Sequence, residues 1–400
     1  MKKDIVILAN FCGDFSKSSN GRFSYLANEL AGEHNVEIIT SDFSHGRKEH
    51  KAALAEELPY KVTFIHEPGY PKNLCLKRFW SHFVWGKNVK KYLSHREKPD
   101  VIYCAIPSLT APLSAAKYCE KNAVKFIVDV QDLWPEAFQM VFHVPVLSDL
   151  VFAPFKFIVN GIYRRADEIC AVSKTYVERA LSVNRKCAKG HTVFLGTRLE
   201  RFDKFAQDHQ VTDKPRDELW LGYCGTLGAS YDLTCVFDAL ELVTKTGVKA
   251  PKFIVMGNGP RRVEFENYAK KKNLDVVFTG RLPYDEMCSL LSACDIVVNP
   301  ITKGAAQSII NKHADYAACG KPVLNTQECE EYRQLVTEYH MGLNCKNSDA
   351  ADLADKLLTL LKDETLRKEM GANARRCAEE RFDRERTYQE LTDLLLEVER

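Results

Sequence analysis

Gln307-Ser-Ile-Ile-Asn-Lys-His-Ala-Asp-Tyr-Ala-Ala-Cys-Gly-Lys-Pro-Val-Leu324 is the stretch that decides the fold. It reads as the start of a helix, a tight Gly-Lys-Pro turn and a short apolar strand. A helix start offers N–H groups without intrahelical partners and the positive end of the helix dipole, which suits a diphosphate. Asn311 and Lys312 open the helix and Asp315 follows within one to two turns, so a cation and an acid come from adjacent turns.

The same alternation runs outward from this block in both directions. Apolar runs that read as strands are Ile5–Ala9, Val36–Thr40, Val62–His66, Val101–Ala105, Lys125–Val130 and Glu168–Val172 in the first half. In the second half they are Leu219–Tyr223, Lys252–Met256, Asp275–Thr279, Ile296–Asn299, Pro322–Leu324 and Gly342–Cys345. Helical stretches such as Gly21–Glu33, Ser81–Ser94 and Leu109–Asn122 separate the first set. Strands alternating with helices predict parallel sheets covered by helices, and two series in succession predict two doubly wound α/β domains. The 400 residues exceed one ordinary core. The expected domains are 1–200, with 381–400 returning to it, and 201–380; the polar stretch between Gly196 and Asp217 is the expected boundary.

Composition is that of a globular enzyme, 45% hydrophobic and 28% charged. No apolar run approaches the roughly 20 residues that span a bilayer, and the N-terminus reads as a first buried strand rather than a signal peptide. The 14 cysteines are scattered, with no Cys-x-x-Cys pair and no His at zinc spacing, so a reducing cytoplasm is expected. Net charge is +2, yet residues 1–200 carry +7 and residues 201–400 carry −5. A basic first half suits phosphate groups or anionic lipid. Nucleic acid is not expected, because no basic–aromatic recognition motif is present.

Four further segments carry candidate chemistry. In Leu221-Gly-Tyr-Cys-Gly-Thr-Leu-Gly-Ala-Ser-Tyr-Asp-Leu233 a strand gives way to a helix; Gly225 and Gly228 let the backbone approach a ligand, with Thr226 between them. Met256-Gly-Asn-Gly-Pro-Arg261 closes another strand with Gly257 and Gly259, but lacks the third glycine of a dinucleotide fingerprint. Val128-Asp-Val-Gln-Asp-Leu-Trp-Pro-Glu136 crowds Asp132, Trp134 and Glu136 at a strand's carboxyl end, where open α/β sheets bind ligands. Asp132 also suits a helix cap and Trp134 a core anchor. The loop Phe11–Phe23 ends with Gly21 and Arg22 at the start of a helix.

These segments resemble the family 4 glycosyltransferases of the GT-B fold. The block at 307–324 resembles their nucleotide-sugar pocket, in which two Glu residues precede a Gly-Lys-Pro-Val turn; Gln307 and Asp315 stand at those positions. The loop at 221–233 resembles their donor loop, with Thr226 and Tyr231 where many members place Arg and Lys. Asp132-Leu-Trp-Pro-Glu136 resembles a signature of bacterial cell-surface polysaccharide glycosyltransferases, with Gln131 where other branches have His.

The resemblance implies two Rossmann-like domains facing across a cleft, with a terminal helix crossing back to the first. It implies retaining transfer of a sugar from a UDP- or GDP-sugar to an acceptor hydroxyl, such as that of a lipid-linked saccharide, in capsule, O-antigen or exopolysaccharide synthesis. Catalytic candidates are then Asp132, Lys312 and Gln307. Donor-binding candidates are Gly225, Thr226, Gly228, Gly257, Gly259, Arg281, Asn311 and Asp315, with Lys312 and Arg281 neutralising the diphosphate and Asp315 accepting from the ribose hydroxyls. Gly21, Arg22, Trp134 and Glu136 fall on the acceptor side. No Asp-x-Asp triplet occurs, which fits metal-independent transfer with no cofactor beyond the donor substrate.

Residues 74–92 and 152–165 mix aromatics with cations and suit an anionic membrane surface, placing the enzyme in the cytoplasm and peripherally on the inner face of the plasma membrane. Residues 74–92 suit an ordinary helix with core-filling aromatics as well. Two other functions compete: a nucleotide-sugar 2-epimerase of the same architecture, and a non-catalytic scaffold, the latter suggested by Gln307, Gln131 and the missing loop cations.

Overall fold

The computed structural model describes residues 1–12, 15, 21–51, 54, 57–73, 75–136, 147–304 and 308–397. The chain divides into two compact units, Met1–Phe194 with Tyr388–Arg400, and Leu195–Thr387.

The first unit is built on a parallel sheet in the order β5-β2-β1-β6-β7-β8-β9. Its strands are β1 (Asp4–Leu8), β2 (Asn35–Ser41), β5 (Lys61–Ile65), β6 (Val101–Ile106), β7 (Lys125–Val130), β8 (Glu168–Ala171) and β9 (His191–Thr192). A short antiparallel hairpin, β3 (Phe43–Ser44) with β4 (Glu49–His50), follows β2. Ile5, Val6, Ile7 and Leu8 are all buried, because helices cover both faces of a parallel sheet. Val6 and Leu8 join one core with Trp85 and Ile162; Ile5 and Ile7 point the other way, into a core with Leu26. The second core also receives Leu391 and Leu395 from the terminal helix Gln389–Leu396 and Tyr388 from its N-cap.

The second unit has β10 (Trp220–Cys224), β11 (Lys252–Met256), β12 (Val276–Gly280), β13 (Ile296–Asn299), β14 (Val323–Asn325) and β15 (Gly342–Asn344). They form one parallel sheet in the order β12-β11-β10-β13-β14-β15. The strand order therefore reverses at β10/β13 here and at β1/β6 in the first unit, and such switch points open a crevice at the strands' carboxyl ends.

The twelve strands expected from apolar runs all form, each end within one residue. The unexpected ones, β3, β4 and β9, have two residues each, too short to show a periodicity. The change of unit falls at Phe194/Leu195, just before the expected polar boundary. The reason is local pairing: Thr197 bridges Asp383, and the Arg384 guanidinium donates to the carbonyls of Leu195 (2.8 Å) and Gly196 (3.0 Å). These contacts hold 195–198 and 383–384 together in the second unit.

Candidate functional site

In the second unit, the residues after β10 and the helix Asn311–Ala318 meet at the switch point. The chain leaves β10 at Gly225, whose φ of +148° disfavours other residues. Gly225 N–H donates to Met256 O (2.9 Å) and Leu227 N–H to Asn258 O (3.0 Å), fastening this loop to the turn after β11. A Cβ on Gly257 would sit 1.8 Å from Gly225 O, and one on Gly259 2.3 Å from Leu227 O. Gly257 and Gly259 thus make room for the first loop. Thr226 is exposed, and a Cβ on Gly228 would meet only the Thr226 side chain, at 3.6 Å. Asp232 caps the helix Leu233–Lys245 by accepting from Cys235 N–H.

Lys312 points back at this loop. A Cβ on Gly225 would stand 2.9 Å from its Nζ. The Nζ lies 4.3 Å from the Tyr223 ring centroid and 3.9 Å from that of Tyr231, and it is buried with no hydrogen-bond partner. Burial pushes its pKa down to about 7. Tyr231, where the resemblance implies a cation, supplies a ring face to one from elsewhere.

Asp315, from the same helix, has different neighbours. Its Oδ1 accepts from Tyr284 Oη (2.7 Å), and that hydroxyl is also 2.8 Å from Thr197 Oγ1. Burial raises its pKa to about 6, against the opposing effect of these hydrogen bonds. Asp315 thus leaves the Lys312 charge unneutralised. Asn311 is exposed at the helix start, and Arg281 is exposed just after β12. Gln307 lies outside the described residues.

The helix start is itself positioned by a buried amide ladder that sequence reading missed. Asn299, Asn325 and Asn344 end three neighbouring strands in register. Asn299 Nδ2 lies 3.2 Å from His313 Nε2, while His313 Nδ1 accepts from Ile310 N–H (3.2 Å). Strand-terminal asparagines spaced one βαβ unit apart are the signal that was available.

In the first unit, three expected acceptor-side residues have structural partners. Arg22 is buried in an ion pair with Asp129, Nε to Oδ2 at 2.9 Å, and also donates to Val193 O, Phe194 O and Tyr388 Oη. Asp129 is fully buried and needs that cation, so Arg22 anchors the terminal helix instead of facing a ligand. The Trp134 ring lies parallel to His82 (5.6 Å between centroids) and 4.4 Å from Arg78 Cζ, which occupies its faces. Glu136 accepts from Arg179 Nε at 2.6 Å. Gly21 caps the helix Arg22–Ala31 without a side-chain bond. Asp132 accepts from Leu133 N–H (2.9 Å) and Trp134 Nε1–H (3.3 Å), and burial raises its carboxyl above the usual range.

Beside Asp132 the fold assembles residues that sequence reading passed over. Glu67, after β5, accepts from Asn10 Nδ2 (3.0 Å) and Ser81 Oγ (2.8 Å). Asn10 Oδ1, His82 Nε2 and Arg78 Nε are buried without hydrogen-bond partners. Burial holds His82 near pKa 3 and His45 near 4, so both rings are neutral at pH 7. Buried polar atoms without partners are uncommon, and His82 Nε2 stands 3.8 Å from Glu67 Oε1.

The helices Leu76–His95 and Leu147–Tyr163 touch through Phe79 and Phe155, 5.4 Å between ring centroids. Large apolar side chains stand out from both: Leu76 (86% exposed), Trp80 (59%) and Phe83 (51%) on one, Leu150 (74%) and Phe157 (76%) on the other. Lys77, Lys87, Lys90 and Lys91 are exposed on the first helix. Among the described residues, no helix is long and apolar enough to cross a membrane.

Two family models divide the chain between them: Glycosyltransferase Family 4 over residues 22–201 and Glycosyl transferases group 1 over residues 204–377. The chain belongs to the family 4 glycosyltransferases. One similar curated protein is an uncharacterized glycosyltransferase of Methanocaldococcus jannaschii, 23% identical over 239 residues, 57% of this chain and 58% of that one. Another is the N,N'-diacetylbacillosaminyl-diphospho-undecaprenol alpha-1,3-N-acetylgalactosaminyltransferase of Campylobacter jejuni, 32% identical over 107 residues, 26% of this chain and 27% of that one. The chain spans about half the length, or less, of the curated relatives it matches. Among solved structures, Anabaena HepE in complex with UDP superposes with a TM-score of 0.72 at 18% identity, covering all of both chains. That likeness bears on the fold, two Rossmann-like units of GT-B type.

Proposed function

We propose that the second unit holds a nucleoside diphosphate sugar and that the first holds a saccharide acceptor, to whose hydroxyl the sugar is transferred with retention. One observation carries the reading: the buried, unpartnered Lys312 ammonium beside the glycine loop at Gly225. An unpaired buried cation is costly, and a diphosphate laid over Gly225–Gly228 would neutralise it. A Cβ on Gly228 would touch only the Thr226 side chain, and the start of the helix Asn311–Ala318 adds the dipole that draws an anion. These groups stabilise the departing diphosphate without a metal, with exposed Arg281 as a second cation. Asp315, fixed by Tyr284, is placed for the ribose hydroxyls. UDP in HepE supports a uridine donor.

On the acceptor side, Asn10, Arg78 and His82 bind hydroxyls, and Asp132 aligns the incoming one, its raised pKa suiting an exchange of protons. A lipid-linked saccharide acceptor is supported by the exposed apolar helices with their lysines and by the diphospho-undecaprenol substrate in the C. jejuni relative's name. The enzyme would then work peripherally on the cytoplasmic face of the membrane in surface-polysaccharide synthesis.

The test is a thermal-shift panel of UDP- and GDP-sugars on the wild type and on Lys312→Met. A bound donor at about 100 times its Kd adds about 2.7 kcal/mol of stability. A shift for one donor class that shrinks in Lys312→Met is expected. Absence of any shift, or equal shifts in both proteins, refutes the pocket.

A further inference from the structure

Asp42, His50 and His66 come together outside the region just described. Asp42 follows β2, His50 ends β4 and His66 follows β5, so three separate strands deliver one side chain each. Their donor atoms all lie within 4.8 Å of one another. Asp42 Oδ2 is 2.9 Å from His66 Nδ1 and 3.4 Å from His50 Nδ1, and the two imidazoles stack with 5.6 Å between centroids. The other carboxylate oxygen, Oδ1, accepts from Glu67 N–H at 2.7 Å, which fixes the carboxylate and leaves Oδ2 facing both rings. A backbone donor of this kind is how ligating carboxylates are oriented in metal sites.

We propose that these three side chains bind a divalent transition-metal ion of the zinc class. Two imidazole nitrogens and one carboxylate oxygen, with water in the fourth position, make a tetrahedral set for Zn²⁺ and disfavour Mg²⁺ or Ca²⁺, which take oxygen ligands. Zinc–nitrogen bonds of about 2.0–2.1 Å require the donors to draw in from their present spacing, which three half-buried to exposed side chains permit. The nearby Lys51 ammonium donates to the carbonyls of Cys12 (2.7 Å) and Ser41 (2.6 Å) and acts on the Asp42 carboxylate through its charge, not through a hydrogen bond. The ion would pin the β3–β4 hairpin to the end of β5, a structural role separate from sugar transfer. Sequence spacing hid the site, because residues 42, 50 and 66 match no zinc motif and only the sheet brings them together.

The test titrates chelator-treated full-length protein with ZnCl2 and, to lessen thiol binding, with NiCl2, by calorimetry. The comparison is His50→Ala/His66→Ala, which keeps Asp42 and its bond to Glu67. Expected are one ion per wild-type chain, loss of that event or at least tenfold weaker binding in the double variant, and Zn²⁺-induced shifts of two imidazole Nδ1 signals in long-range ¹H–¹⁵N spectra. Unchanged binding in the folded variant, or no wild-type binding at millimolar metal, overturns the proposal.

Discussion

If the proposed donor site is right, Lys312 should set the pH dependence of donor binding. Its folded pKa near 7 is depressed from the usual 10.5, so the free protein holds it only partly charged at neutral pH. A diphosphate restores the charge, so the complex binds more protons than its parts. Affinity for UDP then falls as pH rises through 7, and binding takes up a proton. Calorimetry at pH 7.5 in two buffers of different ionisation enthalpy measures this uptake; equal heats in both buffers refute it. Asp315 has the opposite sign of shift for its type: burial raises it from 3.8 to about 6. Its protonated form favours the folded state, so stability is fully present below 3.8 and is lost as pH rises through 6. Asp315→Asn should flatten that part of the stability–pH curve. Arg22 tests a different assignment. Arg22→Met leaves the buried Asp129 uncompensated, at a cost of about 3–5 kcal/mol. Its denaturant midpoint should drop sharply while UDP affinity in the surviving folded protein stays at the wild-type value. Lost UDP affinity with an unchanged midpoint would return Arg22 to the ligand side.

At the scale of elements, the donor loop depends on the turn beneath it. Gly257→Ala places a methyl 1.8 Å from Gly225 O, where backbone must shift, whereas Gly247→Ala meets nothing within 4 Å. Gly257→Ala should weaken UDP binding by about tenfold or more, as small misplacements of a binding group do. Gly247→Ala, also at a positive φ (+83° against +159° at Gly257), controls for the strain of a side chain in that region. Equal affinities in the two variants would separate the turn from the donor loop. This dependence also shows what the sequence carried. Strands were legible because parallel-sheet strands are continuous apolar runs, and the glycine loop and Lys312 were legible because their chemistry is local. What Arg22, Trp134 and Glu136 face was not legible: Asp129, His82 and Arg179 reach them across 107, 52 and 43 residues of chain. The same blindness hid Asn10, Glu67 and His82, which are unremarkable singly and meet only when the residues after β1 and β5 and the helix Leu76–His95 come together.

At the scale of the molecule, charge and apolar surface coincide. The first half carries the positive balance, and its helix Leu76–His95 displays Trp80 and Phe83 beside Lys87, Lys90 and Lys91. Soluble surfaces rarely gather large apolar side chains on two neighbouring helices without a use for them. An anionic bilayer satisfies both features, since headgroups attract the lysines at about 1 kcal/mol each and the interface takes the rings. The electrostatic part is screened within a Debye length of about 8 Å at physiological salt, so binding should weaken as salt rises. Burying one such ring is worth about 1.5–3 kcal/mol, so Trp80→Ser/Phe157→Ser should lower vesicle affinity at least tenfold. Co-sedimentation with phosphatidylglycerol vesicles, against phosphatidylcholine vesicles, measures both effects. Binding indifferent to lipid charge, or unchanged in the double variant, would leave these helices without a membrane role. A parallel UDP titration of that variant should match the wild type, because both rings belong to the first unit and Lys312 to the second.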